Sequence, residues 1–216
     1  MRKILLSMAL LWVTTSLWAQ EASEAGLFLG LSTYQGDLVD APFDANETNF
    51  AIGVQYRNMF SPKWGIKAGL NFGKISGTDL DVESRDARGA SMESNLVEIA
   101  AQLEWHLLGE PTSPNRLGTF SRTFSPYIGL GLGMVFSNQT VTAIDNLMPE
   151  EDRGSFIILP VDLGLRLNLS PSLTSTLSIG SRATFSDLLD GISANGNADA
   201  DDWYLIGGIS FLYAFN

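Results

Sequence analysis

Residues 203–216 read WYLIGGISFLYAFN. Trp203, Leu205, Ile209, Phe211, Tyr213 and Phe215 fall on one side of a two-residue repeat, and Gly208, Ser210, Ala214 and Asn216 fall on the other. This is a β-strand with one apolar face and one small or polar face. Aromatic rings stand at both ends of the apolar face, where rings sit at a membrane–water boundary. The sequence stops there, with nothing after it to cover that face. In water such a strand is an aggregation site. In lipid it is the strand that closes an outer-membrane barrel.

The rest of the composition agrees. Of 216 residues, 45% are hydrophobic and 17% charged, the net charge is −11 and there are 21 glycines. The length suits one domain. The acidic balance argues against a nucleic-acid partner, which would require a basic stripe. The absence of cysteine excludes disulfides, thiolate metal sites and lipidation at a cysteine, and the single histidine argues against a metal cluster. No cofactor is expected. At the N-terminus, Arg2 and Lys3 precede an apolar run from Ile4 to about Trp18, the pattern of a cleavable secretory signal. Cleavage after Ala19 divides the chain into a signal peptide, 1–19, and a barrel domain, 20–216.

Seven further stretches alternate as the last one does. Leu27, Leu29 and Leu31 alternate with Phe28, Gly30 and Ser32 in a first strand over 25–34. Phe50, Ile52, Val54 and Tyr56 define the second, and Ile66, Ala68, Leu70 and Phe72 the third. The fourth carries Val97, Ile99, Ala101, Leu103 and Trp105 against Glu98, Gln102, Glu104 and His106. The fifth, from about Pro126, sets Ile128, Leu130, Leu132, Met134 and Phe136 against glycines. The sixth spans 157–168 and the seventh 176–185. Ser61-Pro-Lys63 and Ser170-Pro-Ser172 are tight turns. Long polar loops are expected at 35–48, 76–93, 138–154 and 186–202, and a longer connection at 109–123. Eight strands near the ~9–11 residues that cross a bilayer at a tilt predict an all-β, antiparallel, up-and-down transmembrane barrel.

A soluble barrel alternates too, with its apolar face inward. Three features favour the membrane. The polar face is rich in Gly, Ser and Asn, which suits a crowded lumen and weakens a solvated strand. Long loops follow odd strands, whereas two of the three connections after even strands are tight. Aromatics recur at strand ends: Tyr56, Phe60, Trp64, Trp105, Phe136, Phe185, Trp203 and Tyr213. The expected location is the cell outer membrane, as a monomer, with membrane lipid and lipopolysaccharide as surroundings.

Several segments resemble a known family. Glu24-Ala-Gly-Leu-Phe-Leu-Gly with Tyr34-Gln-Gly-Asp-Leu, Ser125-Pro-Tyr-Ile-Gly-Leu-Gly, Leu159-Pro-Val-Asp-Leu-Gly-Leu-Arg and Arg182-Ala-Thr-Phe-Ser-Asp-Leu-Leu-Asp-Gly-Ile-Ser resemble PorG-like outer-membrane barrels of Bacteroidota. Gly208, Phe211 and Tyr213 also resemble the C-terminal signal by which such barrels are recognised for insertion. The resemblance implies the same fold. It also implies an association with type IX secretion and with a periplasmic or lipoprotein partner.

Six charges fall on expected inward faces: Lys67, Glu98, Glu104, Asp162, Arg166 and Arg182. Charges removed from water need partners, so these predict a salt-bridge network filling the lumen. Arg182 is expected to bond a carboxylate from Asp162, Glu98, Glu104, Asp187 and Asp190, with Glu98 or Glu104 ahead of the loop acids. Arg116 and Arg122, on the 109–123 connection, form a candidate periplasmic docking surface. Glu98, Glu104 and His106 share a face and could suggest acid–base chemistry, but His106 sits near a strand end with no serine placed beside it by sequence. Asp199, Asp201 and Asp202, with Glu150, Glu151 and Asp152, make the loops acidic without a calcium-loop spacing. The resulting reading has no catalytic, cofactor or metal residue. It is a non-enzymatic structural or docking barrel, with a narrow pore and a lipid-modifying barrel enzyme as alternatives.

Overall fold

The computed structural model describes residues 22–35, 48–78, 91–109, 123–142, 153–184 and 203–215. The expected signal 1–19, Arg116, Arg122, Asp187, Asp190 and the acidic clusters at 150–152 and 199–202 lie outside them. Eight strands form a closed antiparallel barrel in sequence order. They are β1 (Ala22–Gln35), β2 (Thr48–Met59), β3 (Trp64–Thr78), β4 (Ser91–His106), β5 (Phe124–Thr142), β6 (Arg153–Asn168), β7 (Leu173–Thr184) and β8 (Trp203–Phe215). The ring closes where β1 pairs with β8, from Ser23 opposite Phe215 to Gln35 opposite Trp203.

The faces divide by the two-residue repeat. Outward side chains form an apolar belt in which Leu132 is 63% exposed, Ile157 60% and Leu163 57%, while inward polar groups such as Arg57, Glu104 and His106 have no exposure. A soluble barrel reverses this arrangement. From Trp64 to Phe72 the outward face of β3 is apolar or Ala68 throughout, a height of about 20 Å at the usual rise and tilt, close to the ~25 Å apolar band of membrane barrels. At one rim Trp64 and Trp105, opposite each other in the register, stack with centroids 6.2 Å apart. Tyr56 and Phe215 approach to 6.4 Å on the same rim.

The turns at this rim follow from local chemistry. Ser61 and Trp64 exchange backbone hydrogen bonds of 3.1 and 3.3 Å across the proline turn. In the second turn the Ser170 hydroxyl accepts from the Leu173 amide at 3.0 Å. After β4 the chain turns through Gly109, whose φ of 74° is the left-handed region that glycine enters without a Cβ penalty.

Two expectations need correction. The loops expected at 76–93 and 138–154 are shorter, because β3 runs to Thr78, β4 starts at Ser91 and β5 continues to Thr142. Above the belt the outward face turns polar, with Lys74, Asn95 and Asn138. Backbone pairing continues there as a wall standing in water, and polar alternation reads as loop in sequence. The wall is one-sided: β5 has 19 residues and β2 only 12. The second correction concerns the inner face of β8, which is not only small and polar. Tyr204, Ile206 and Leu212 point inward and are buried. Ile206 packs with Phe28 and Ala51 in an apolar cluster inside the barrel. A filled lumen carries no requirement for polarity.

Candidate functional site

The lumen is built from every second residue of all eight strands, and glycines make the room. Tyr127 on β5 faces Gly164 on β6, and a Cβ at Gly164 would run into the Tyr127 ring. A Cβ at Gly180 would meet the Asp162 carboxylate and the Arg182 guanidinium. The glycine alternation noted in sequence is the space into which large lumen side chains fold.

All six inward charges of the sequence reading lie buried in this lumen, and two more join them: Glu24 on β1 and Arg57 on β2. At the rim of the tight turns, Arg166 Nη2 donates to Glu24 Oε1 at 2.7 Å, and the Thr174 hydroxyl donates to the same oxygen at 3.0 Å. Next, Arg57 grips Glu104 with both nitrogens of its fork, Nε to Oε2 at 2.7 Å and Nη2 to Oε1 at 2.9 Å. This bidentate geometry is the strongest that a carboxylate and an arginine make. Further along, Lys67 Nζ donates to Asp162 Oδ2 at 2.5 Å, and Arg182 donates to Asp162 Oδ1 at 2.6 Å and to Glu98 Oε2 at 3.2 Å. Glu98 also accepts from Asn71 at 2.9 Å and from the Tyr204 hydroxyl at 2.5 Å.

The order along the lumen is Arg166, Glu24, Arg57, Glu104, Lys67, Asp162, Arg182, Glu98. Cation and carboxylate alternate without a break, four against four, so the chain is neutral. It has two loose joints, Arg57 to Glu24 and Lys67 to Glu104, each 3.9 Å. These joints divide it into three groups, and each group is neutral by itself. Neutral groups minimise the cost of holding charge away from water. The bonds also tie strands that are not neighbours, β1 to β6 and β4 to both β7 and β8.

Arg182 therefore bonds Glu98, as expected from sequence, and Asp162 with it. Glu104 belongs to Arg57 instead. His106 is the last residue of β4. It is fully buried, with Nε2 3.3 Å from Glu104 Oε2 and its ring stacked on Tyr127 at 5.2 Å between centroids. Arg57 sits over the other part of that assembly, 5.5 Å from the Tyr127 centroid. Glu98 and Glu104 lie in different groups, so the three residues of that face do not form one acid–base site. Among the described residues no set of three or more His, Cys, Asp or Glu side chains is placed to hold a metal ion. A cavity of about 20 Å³ lies among Lys67, Asn71, Glu98, Gln102, Asp162 and Arg182. That is room for about one water. Beyond this layer, Ile75, Leu96, Val135 and Ile158 occupy inward positions of β3 to β6 and are buried.

Sequence reading missed Glu24 and Arg57 as members of the network. Continuing the inward series back from Phe28 through Gly26 places Glu24 inward, and Arg57 sits on the polar face of β2 directly opposite both Glu24 and Lys67 in the register. Tyr127 and Tyr204 carried no such signal, because an aromatic on an inward position looks like an interruption of the pattern.

A closed eight-stranded ring, an outward apolar belt with aromatic rims and a lumen packed with paired charge define the class: a transmembrane β-barrel of the outer-membrane type. Within it, the chain belongs to the family described as domain of unknown function DUF6089, whose sequence model matches residues 2–216. No curated protein matches it significantly. Among solved structures it is similar to Ail, the attachment invasion locus protein of Yersinia pestis, crystallised with the heparin analogue sucrose octasulfate. The TM-score is 0.51 at 14% identity, over 91% of this chain and 99% of that one. The N-terminal barrel domain of Pseudomonas aeruginosa OprF gives 0.47 at 14% identity, over 91% and 100%. OprG of the same organism gives 0.46 at 14%, over 91% and 98%. At these identities the likeness concerns the fold.

Proposed function

We propose that this chain is exported by its N-terminal signal and serves in the outer membrane as a sealed, non-enzymatic post: a structural or docking component of the envelope. The observation that carries the proposal is the lumen. Eight charges neutralise one another in sequence along it, and the cavity among them is about 20 Å³. A hydrated ion needs a continuous wet path, and the buried pairs occupy that path. Chemistry on lipid would need a nucleophile or base open to the membrane or to water. The histidine is instead fully buried against Glu104 and Tyr127.

The resemblance to PorG-like barrels supports a place in a secretion complex of type IX character, with a periplasmic or lipoprotein partner. Arg116 and Arg122 are the proposed contacts for that partner. Photo-crosslinking in native membranes tests the docking role. A probe at Lys63, on a tight turn, should capture one reproducible protein, and a probe at Leu132 in the belt should capture lipid. Lipid alone at both positions ends the docking reading. Lipid A and phospholipid masses that change on expression of the barrel would replace it with an enzyme.

A further inference from the structure

The joint between Arg57 and Glu24 is fixed from both sides. Glu24 is held through Oε1, which accepts from Arg166 Nη2 at 2.7 Å and from the Thr174 hydroxyl at 3.0 Å. Its Oε2 has no hydrogen-bond partner. Arg57 is held through Nε and Nη2, which donate to Glu104 at 2.7 and 2.9 Å, and its guanidinium lies over the Tyr127 ring. Its Nη1 has no partner either. These two atoms, a donor and an acceptor, stand 3.9 Å apart on side chains that are both buried. The separation is too long for a direct hydrogen bond. Closing it would pull one side chain off the bonds that hold it. Leaving a charged donor and a charged acceptor unmet, away from water, is costly.

The geometry points to a single resident water in this joint, accepting from Arg57 Nη1 and donating to Glu24 Oε2. The separation of 3.9 Å is less than twice the length of one hydrogen bond, so a molecule beside the line between the two atoms reaches both. Charge and size identify the occupant. An anion would meet the Glu24 carboxylate and a cation the Arg57 guanidinium, so the molecule is neutral. It accepts on one side and donates on the other, which suits a water between two polar partners. Ala214, opposite Glu24 on β8, puts no more than a methyl group on that side. Two further buried hydroxyls without a partner, Ser125 and Thr176, stand on either side of Arg166 in the register, so unmet bonding capacity gathers at this end of the lumen. The water joins the Arg166–Glu24 group to the Arg57–Glu104 group. Lys67 to Glu104 is then the one loose joint left in the ion chain.

A crystal structure of the refolded barrel, at a resolution that shows ordered waters, tests this. Wild type should show one density peak within about 3.2 Å of both Arg57 Nη1 and Glu24 Oε2. NMR of the nitrogen-15-labelled barrel in micelles gives a second reading. The Arg57 Nη1 protons should show a dipolar cross-peak at the water frequency, opposite in rotating-frame sign to proton exchange. Arg57→Lys keeps a cation opposite Glu104 and removes Nη1, so the peak should vanish while Arg166 stays on Glu24. Four results overturn the proposal: a direct hydrogen bond between Nη1 and Oε2, a joint without density beside an intact Arg57–Glu104 pair, a peak that anomalous scattering identifies as an ion, or a peak unchanged in Arg57→Lys. Should Arg57→Lys fail to insert, read by heat-dependent gel mobility, the wild-type density and cross-peak decide alone. A barrel that conducts ions while holding this water would end the sealed-lumen reading and leave the site standing.

Discussion

Replacing Arg182 with alanine perturbs the ion chain at the cation that joins two of its carboxylates. Arg182 bonds Asp162 at 2.6 Å and Glu98 at 3.2 Å, and all three are buried. Its loss takes the Lys67–Asp162–Arg182–Glu98 group from neutral to a net charge of −1. Removing one partner of a buried pair costs about 3–5 kcal/mol, chiefly through the charge left behind. The lower end applies here, because Asp162 keeps Lys67 and Glu98 keeps Asn71 and Tyr204. Urea unfolding from lipid vesicles, followed by tryptophan fluorescence, reads the change. Adding Glu98→Gln returns the group to neutral, since Lys67 and Asp162 remain, and glutamine can still accept from Tyr204. The double variant should recover about half of the loss, a coupling of roughly 1.5 kcal/mol or more. A loss below about 1 kcal/mol for Arg182→Ala, or no recovery on adding Glu98→Gln, would refute the reasoning that the chain is held by charge balance.

Leu163, outward and exposed, should tolerate no charge: Leu163→Arg should cost about 2–4 kcal/mol at the bilayer midplane, and equal insertion of this variant and wild type into vesicles contradicts the face assignment. Gly164→Val places bulk where the Tyr127 ring lies. It should destabilise the barrel and disturb the Tyr127–His106 stack, readable as a shift of the histidine ring resonances in NMR, and unchanged resonances would count against the packing described. The long loops after odd strands, 76–93 among them, should face outside: a cysteine at Ala87 should be labelled by an impermeant reagent on intact cells, and labelling only after permeabilisation would reverse the orientation.

Much of this fold is legible in sequence, because a barrel between lipid and lumen enforces the two-residue repeat on every strand. Leu27, Leu29 and Leu31, or Ile128, Leu130 and Leu132, leave no second choice of face. Strand ends are less legible. Once β3 and β5 rise above the lipid, Asn138 and its neighbours alternate without hydrophobicity, and the pattern looks like loop. The network is legible in part. Inward charges such as Lys67 and Asp162 stand out on a face of glycine and serine. Their pairing does not, since Lys67 and Asp162 are 95 residues apart and meet only because the ring closes. Arg57 shows the same limit. Its partner among Glu24, Glu98 and Glu104 depends on barrel diameter and stagger, which no local pattern encodes.

Planar-bilayer recording of the refolded barrel tests the sealed lumen most directly. The account predicts no discrete conductance steps for wild type in symmetric salt, because the alternating ion chain occupies the path. Replacing Arg57, Glu104, Lys67 and Asp162 together with alanine in a barrel that still inserts should open steps. Stepwise conductance in the wild-type barrel, carried by single inserted molecules, would contradict the account.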